Sequence, residues 1–150
     1  MRSPATGRRG QERVELKRTR RRLLEALVRR INHKNWWHVR QDPDTYKKQG
    51  TFLTSTFRKS EPLGRPLKEP YQVKVNNPFV GDEKTIEIEL LKQRVPSEAR
   101  DMPPQLKWNG RLKEAAMKQG HDCVVFMSPK DFEGYTLRRK IPLSVELIIF

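Results

Sequence analysis

The apolar residues of this chain come in short runs, and that spacing limits what it can fold into. Each run begins or ends on polar residues and is rich in β-branched or aromatic types, as short strands are. The runs are 36–40, 52–56, 71–78, 120–126 and 144–150. A chain of 150 residues can bury one core but is too short for two ordinary domains. We therefore predict one compact α+β domain built from short strands.

The sequence before the first run is strongly basic. Residues 1–10 offer little to bury, so we predict a disordered basic tail there, followed by a basic amphipathic helix over 11–32. The domain itself is then predicted to span 33–150. One helix face carries leucines, and the opposite face carries Arg20, Arg21, Arg22, Arg29 and Arg30. These arginines are either solvated above a packed leucine face or bind a nucleic acid or another acidic surface.

The net charge of +14 and the single cysteine indicate which partners and which kinds of site to expect. Such a charge concentrates polyanions nearby, so we expect an acidic partner: a nucleic acid, the ribosome or an acidic protein surface. Cys123 has no partner for an internal disulfide, and we expect it to be an inert residue of the core. The three histidines are scattered along the sequence, so we expect no metal site. No run approaches the roughly 20 apolar residues of a membrane helix. We expect a cytoplasmic protein that does not contact a membrane.

The rest of the chain gives signals of uneven clarity. Residues 71–75 alternate apolar and polar types, which predicts a strand that ends at 76–78. Residues 85–91 fit a strand by alternation or a helix by their glutamate content. The pattern over 111–119 predicts a short helix closed by a left-handed Gly120. We predict a basic connection over 131–140.

In their order, these segments resemble the ADP-ribosyltransferase family, especially the small domains of phage and mobile-element proteins. The most specific parts are Asn-Asn-Pro at 76–78 and Gly-His-Asp-Cys-Val-Val at 120–125. The similarity runs from about Trp36 to Phe150. In that family an early strand carries a His or an Arg, and a late strand carries the catalytic Glu. The resemblance implies a split β-sheet fold and NAD as a co-substrate.

The resemblance also assigns residues to an NAD site. It makes Glu146 catalytic, with Ser55 beside it, and makes His38, Arg40, Phe52 and Thr54 the NAD contacts. One subclass of the family holds the nicotinamide side with a His and a Tyr, and the other with an Arg and a Ser-Thr-Ser element. Phe52 stands where the first subclass has its Tyr, and residues 54–56 are Thr-Ser-Thr. The chain therefore departs from both patterns.

Glu146 has the right chemistry for this role. Cleavage of the nicotinamide–ribose bond builds positive charge on the sugar, as glycoside hydrolysis does. A carboxylate that faces this charge stabilises the transition state more than the ground state. Arg40 would bind a ligand phosphate through its planar guanidinium. Structural interpretations stand beside these: Glu146 on the solvent face of an edge strand, His38 packed in the core, and Arg40 as a solvated charge.

Three functions follow from these features. The first is a mono-ADP-ribosyltransferase, a toxin, phage or mobile-element product that modifies a protein or a nucleic acid. The second is a basic protein that binds nucleic acid or the ribosome without catalysis. The third is an inhibitor that binds a partner and retains only the fold.

Overall fold

The computed structural model describes residues 4–38, 51–55, 70–96, 98, 108, 111–143 and 145–150, and Arg40 and Thr56 lie outside this part. The helices are α1 (Pro4–Asn32), α2 (Glu83–Thr85), which continues as a π-helix over Ile86–Leu90, α3 (Arg111–Lys118) and α4 (Pro129–Leu137). The strands are β1 (Trp37–His38), β2 (Thr51–Thr54), β3 (Pro78–Gly81), β4 (Cys123–Phe126) and β5 (Glu146–Ile149). The predicted α+β class is confirmed. The ADP-ribosyltransferase fold stays a prediction.

The described strands form one mixed sheet in the order β1-β2-β5-β4-β3. β3 and β4 are parallel, and the other neighbouring pairs are antiparallel. β5 therefore lies between β2 and β4 in the interior of the sheet. The interpretation of Glu146 as a residue of an edge strand is wrong, because its strand is paired on both sides.

Each face of the sheet carries its own core. On one face, which we call the first core, Leu53, Val125 and Leu147 pack with residues of α1 and α4. On the other, the second core, Val124 and Ile148 pack with the π-helix and α3. This division follows from the alternation of side chains along strands, since consecutive residues point to opposite faces.

The C-terminal half of α1 packs on the sheet. Leu27 and Ile31 are each 1% exposed and belong to the first core. Residues 10–18 are all exposed. The helix begins at Pro4 and not at the predicted start, Gln11, and so includes residues 4–10 of the predicted basic tail. Proline pre-sets the backbone for a first helical turn, and the alanine and arginines that follow are good helix formers.

Polar contacts hold the C-terminal end of α1 to the domain. The Asn32 side chain both donates to the Val75 carbonyl (3.0 Å) and accepts from the Val75 N–H (2.7 Å). Lys34 Nζ donates to the Leu143 carbonyl at 3.0 Å. Burial, together with the nearby charge of Arg30, lowers the pKa of Lys34. The packed half of the helix is thus part of the domain.

The strand predicted over 71–75 is wrong, although part of its pattern of burial is right. Val73 and Val75 are buried and Lys74 between them is exposed, but Tyr71 is exposed as well. The strand of this region is β3, which begins at Pro78. No strand forms over 71–75 because side chains, and not a neighbouring strand, bind backbone N–H and C=O groups at the end of this segment and just after it. Asn32 occupies both groups of Val75, and Asp122 accepts from the N–H groups of Asn76 and Asn77.

Predictions for the other segments have mixed outcomes. The helix predicted over 111–119 is confirmed as α3, and Gly120 follows it with a φ of +86°. Residues 85–91, left open between strand and helix, are helical. The connection predicted over 131–140 is wrong, because α4 covers most of it. The Ser128 side chain caps that helix by accepting from the Asp131 N–H, and a proline follows the cap.

Candidate active site

One row of residues crosses four strands beside Glu146. Thr54 of β2 is directly opposite Glu146 on one side, and Phe126 of β4 is opposite it on the other. Trp37 of β1 is in turn opposite Thr54. Directly opposed residues share a face of the sheet, so these side chains are neighbours. We call Trp37, Thr54, Glu146 and Phe126 the Glu146 row.

The Glu146 row combines a partly exposed carboxylate with aromatic and hydroxyl groups. Glu146 and Trp37 are half-buried, whereas Thr54 is only 3% exposed. Phe126 lies edge-on to the buried ring of Trp108, with 5.9 Å between ring centroids. Within the described strands Glu146 is the one carboxylate-bearing residue. The two residues directly opposite Glu146, Thr54 and Phe126, carry no charge of their own.

The structure does not bring His38 to Glu146. The register pairs His38 with Leu53, and Leu53 with Leu147, which is the row next to the Glu146 row. Adjacent rows belong to opposite faces of a sheet, and this one belongs to the first core. The backbone register therefore places His38 in the row next to that of Glu146, and its assignment as an NAD contact stays a prediction. The assignment of Arg40 to the NAD phosphates falls outside the described residues.

The residues predicted around β2 differ in how they are placed. Thr54 is the residue opposite Glu146, and Ser55 follows the end of the strand. Ser55 Oγ is buried, and among the described residues it has no hydrogen-bond partner. The pairing thus puts Thr54 beside Glu146, and the role of Ser55 stays a prediction. Phe52 shares the face of Thr54 but packs against the second core.

A second carboxylate, Glu87, lies buried beneath the same face of the sheet. It is 1% exposed and sits on the π-helix. The Val95 N–H donates to its Oε1 at 2.8 Å, and Trp108 Nε1 donates to Oε2 at 3.4 Å. Arg94, itself largely exposed, lies 3.9 Å from Oε1. These contacts make Glu87 the hydrogen-bonding centre of the loop after the π-helix, a role that the sequence did not reveal.

The two motifs that carried most of the family resemblance bind to each other. The Asp122 carboxylate accepts from the N–H groups of Asn76 (2.7 Å) and Asn77 (3.0 Å). The Asn77 side chain donates to the Gly120 carbonyl at 2.8 Å, and the Asn77 carbonyl accepts from His121 Nδ1 at 3.2 Å. These contacts align β3 with β4 just before their parallel pairing starts. They support a structural role for both motifs.

Replacing Asp122 with alanine should lower the free energy of unfolding by about 2 kcal/mol, because two backbone N–H groups lose a charged acceptor. Asp122→Asn keeps one acceptor oxygen and should lose about half as much. Urea unfolding followed by tryptophan fluorescence measures both. An Asp122→Ala midpoint equal to that of the parent protein would show that these hydrogen bonds do not stabilise the sheet.

Cys123 is placed for packing. Its side chain is fully buried in the first core. Burial raises the pKa of the thiol far above its usual value, and the charge of Asp122 raises it further. The reactive thiolate is therefore scarce at neutral pH, which argues against a nucleophilic role.

Comparison of the chain with protein-family models, with curated proteins and with solved structures found no match. In the part of the chain that the structure describes, no three His, Cys, Asp or Glu side chains are grouped as metal ligands would be. None of the described helices has an apolar stretch sufficient to cross a bilayer. Function must therefore be argued from the geometry of the Glu146 row and of the surface.

Proposed function

We propose that this protein is a mono-ADP-ribosyltransferase that cleaves NAD and transfers ADP-ribose to a macromolecule. The observation that supports it most is the order β1-β2-β5, which places the two early strands beside the late strand that carries Glu146. These are the segments that the family resemblance assigns to the NAD site. Within them, Thr54 stands directly opposite Glu146.

Glu146 is the proposed catalytic residue. Its strand is hydrogen-bonded on both sides, so the carboxylate is carried by a rigid part of the sheet and needs little reorganisation when charge develops. A pre-positioned charge of this kind stabilises a cationic ribose in the transition state. Glu146 is also partly exposed, so a bound sugar can reach it.

Trp37 takes the place on β1 that the sequence had assigned to His38. The nicotinamide ring of NAD is cationic, and the face of a tryptophan attracts cations. Trp37 is half-buried in the row of Glu146, two strands away from it. We therefore assign the nicotinamide to the space beside Trp37 and Thr54, and the ribose to Glu146.

The reaction would take place in the cytoplasm, with a protein or a nucleic acid as acceptor. The acceptor nucleophile attacks the ribose carbon, nicotinamide leaves with the bonding electrons, and the acceptor loses a proton. The net charge of +14 favours an acidic acceptor.

The proposal is tested by incubating the purified protein with NAD and measuring released nicotinamide by chromatography. We expect release well above that of NAD alone, and an added ADP-ribose mass on protein or nucleic acid from cells that express the chain. NAD should also raise the melting temperature, since a ligand that binds only the folded state stabilises it. If millimolar NAD led to no nicotinamide release and to no shift in melting temperature, the proposal would be excluded.

A further inference from the structure

A groove of about 430 Å³ lies between α1, α4 and the edge strand β3. It is separate from the Glu146 row: none of its lining residues belongs to that row, and α1 and α4 pack on the first core, whereas Phe126 of the row packs against the second core. Its volume lies within the range of small-molecule sites, although one side is open to solvent. The apolar part of its lining is supplied by leucines of α1 and by aromatic rings of β3 and α4.

The polar part of this groove is cationic. Arg20 of α1, Arg139, just after α4, and His121, just before β4, all line it. No aspartate or glutamate is among the lining residues. The guanidinium groups therefore have no carboxylate partner within the groove itself, and they are suited to bind a phosphate or another oxyanion in a bidentate manner.

Aromatic rings form much of the floor. Phe79 of β3 and Phe132 of α4 are partly exposed, and Tyr135 lies beneath them, mostly buried. The ring of His121 stands edge-on to Phe79, with centroids 5.5 Å apart. Burial raises the pKa of Tyr135, so its phenol stays neutral and adds no negative charge. Flat apolar surfaces beside guanidinium groups fit nucleobases that are linked to phosphates.

The groove continues into a long cationic surface. Arg20 belongs to both, and from there α1 runs towards its N-terminus through residues 10–18, all of them exposed. The whole helix has ten basic and three acidic residues, so it carries half of the net charge of +14. A lone small anion would use only the groove. A polymer with regularly spaced negative charges would contact the groove and the helix together.

We propose that this groove and the exposed half of α1 form a binding site for single-stranded nucleic acid. Unpaired bases occupy the aromatic floor, Arg20 and Arg139 hold the adjacent phosphates, and the strand continues along the helix. A duplex is disfavoured in the groove, since its bases are already stacked and paired. The inference does not depend on NAD chemistry, because none of these residues belongs to the Glu146 row.

The test is fluorescence anisotropy of a short labelled oligothymidylate with the full chain, over a range of salt concentrations. Two adjacent pairs of arginines supply matched variants, since one member of each pair lines the groove and the other does not. Arg20→Gln and Arg139→Gln should each weaken binding about tenfold and reduce the salt slope by about one. Arg21→Gln and Arg138→Gln remove the same charge and should each weaken binding about twofold or less.

A third variant probes the floor of the groove. Phe132→Leu keeps an apolar side chain of similar size and removes the aromatic face, so it should weaken oligonucleotide binding several-fold with little change in melting temperature. Polyglutamate serves as a competitor without bases. The proposal would be overturned if both members of each arginine pair lost the same affinity for the oligonucleotide. It would also be overturned if polyglutamate competed as well as unlabelled oligonucleotide does. Either result would indicate a general attraction to polyanions.

Discussion

Replacing Glu146 with glutamine is expected to slow nicotinamide release from NAD by about 10²-fold or more. Glutamine has nearly the same shape, so the sheet should be preserved, but it cannot offer a full negative charge to the ribose cation. The loss should appear mainly in kcat, since the charge on the sugar develops only in the transition state.

The matched control for this variant is Glu133→Gln on α4. Glu133 is exposed and lies outside the Glu146 row, so the same change in charge should leave nicotinamide release within about twofold. Melting curves followed by circular dichroism check that both variants are folded. If a folded Glu146→Gln protein released nicotinamide as fast as the Glu133→Gln protein, Glu146 could not be catalytic, although a different NAD site could still exist.

Replacing Glu87 with alanine should lower the free energy of unfolding by about 3 kcal/mol. The Val95 N–H and Trp108 Nε1 would both lose their acceptor in a dry environment, and such unpaired groups cost about 1–3 kcal/mol each. The shorter side chain also leaves a cavity beneath the sheet. The ion pair with Arg94 contributes little, because it is long and one partner is exposed.

Glu89 provides the comparison, because it lies on the same π-helix and is exposed. Glu89→Ala should change the free energy of unfolding by about 0.5 kcal/mol or less. Glu87→Gln retains one acceptor and should fall between the two. Urea titrations of the three variants give these values directly. Equal midpoints for Glu87→Ala and Glu89→Ala would show that the buried carboxylate does not stabilise the loop after the π-helix.

Local sequence patterns correctly predicted the elements that form without hydrogen-bond partners from distant parts of the chain. The apolar stripe of α1 and the glycine after α3 are such cases, because periodicity and a left-handed cap are properties of a short segment. The region 71–75 shows the limit of this approach. Its alternation correctly predicted that Val73 and Val75 are buried, but not that Tyr71 is exposed, and whether it paired as a strand depended on Asn32 and Asp122, which are distant in sequence.

The candidate site was predictable in its strands but not in its register. A late strand with one glutamate and an early strand with two tryptophans were both evident from the sequence. Which residue of the early strand faces Glu146 depends on pairing, and a shift by one residue exchanges the two faces. That is why Trp37 and not His38 joins the row. The burial of Glu87 was not predicted from the sequence. In a half-buried strand over 85–91, Glu87 would lie on the same polar face as Glu89.

The position of β5 has a consequence for how the protein is made. A ribosome builds the other four described strands before β5, yet β5 is the strand that joins β2 to β4. Until it emerges, the backbone N–H and C=O groups of β2 and β4 that pair with β5 have no strand beside them, and the pairing of β2 with β5 spans most of the sequence. Such non-local closure is slow and leaves the nascent chain prone to aggregation.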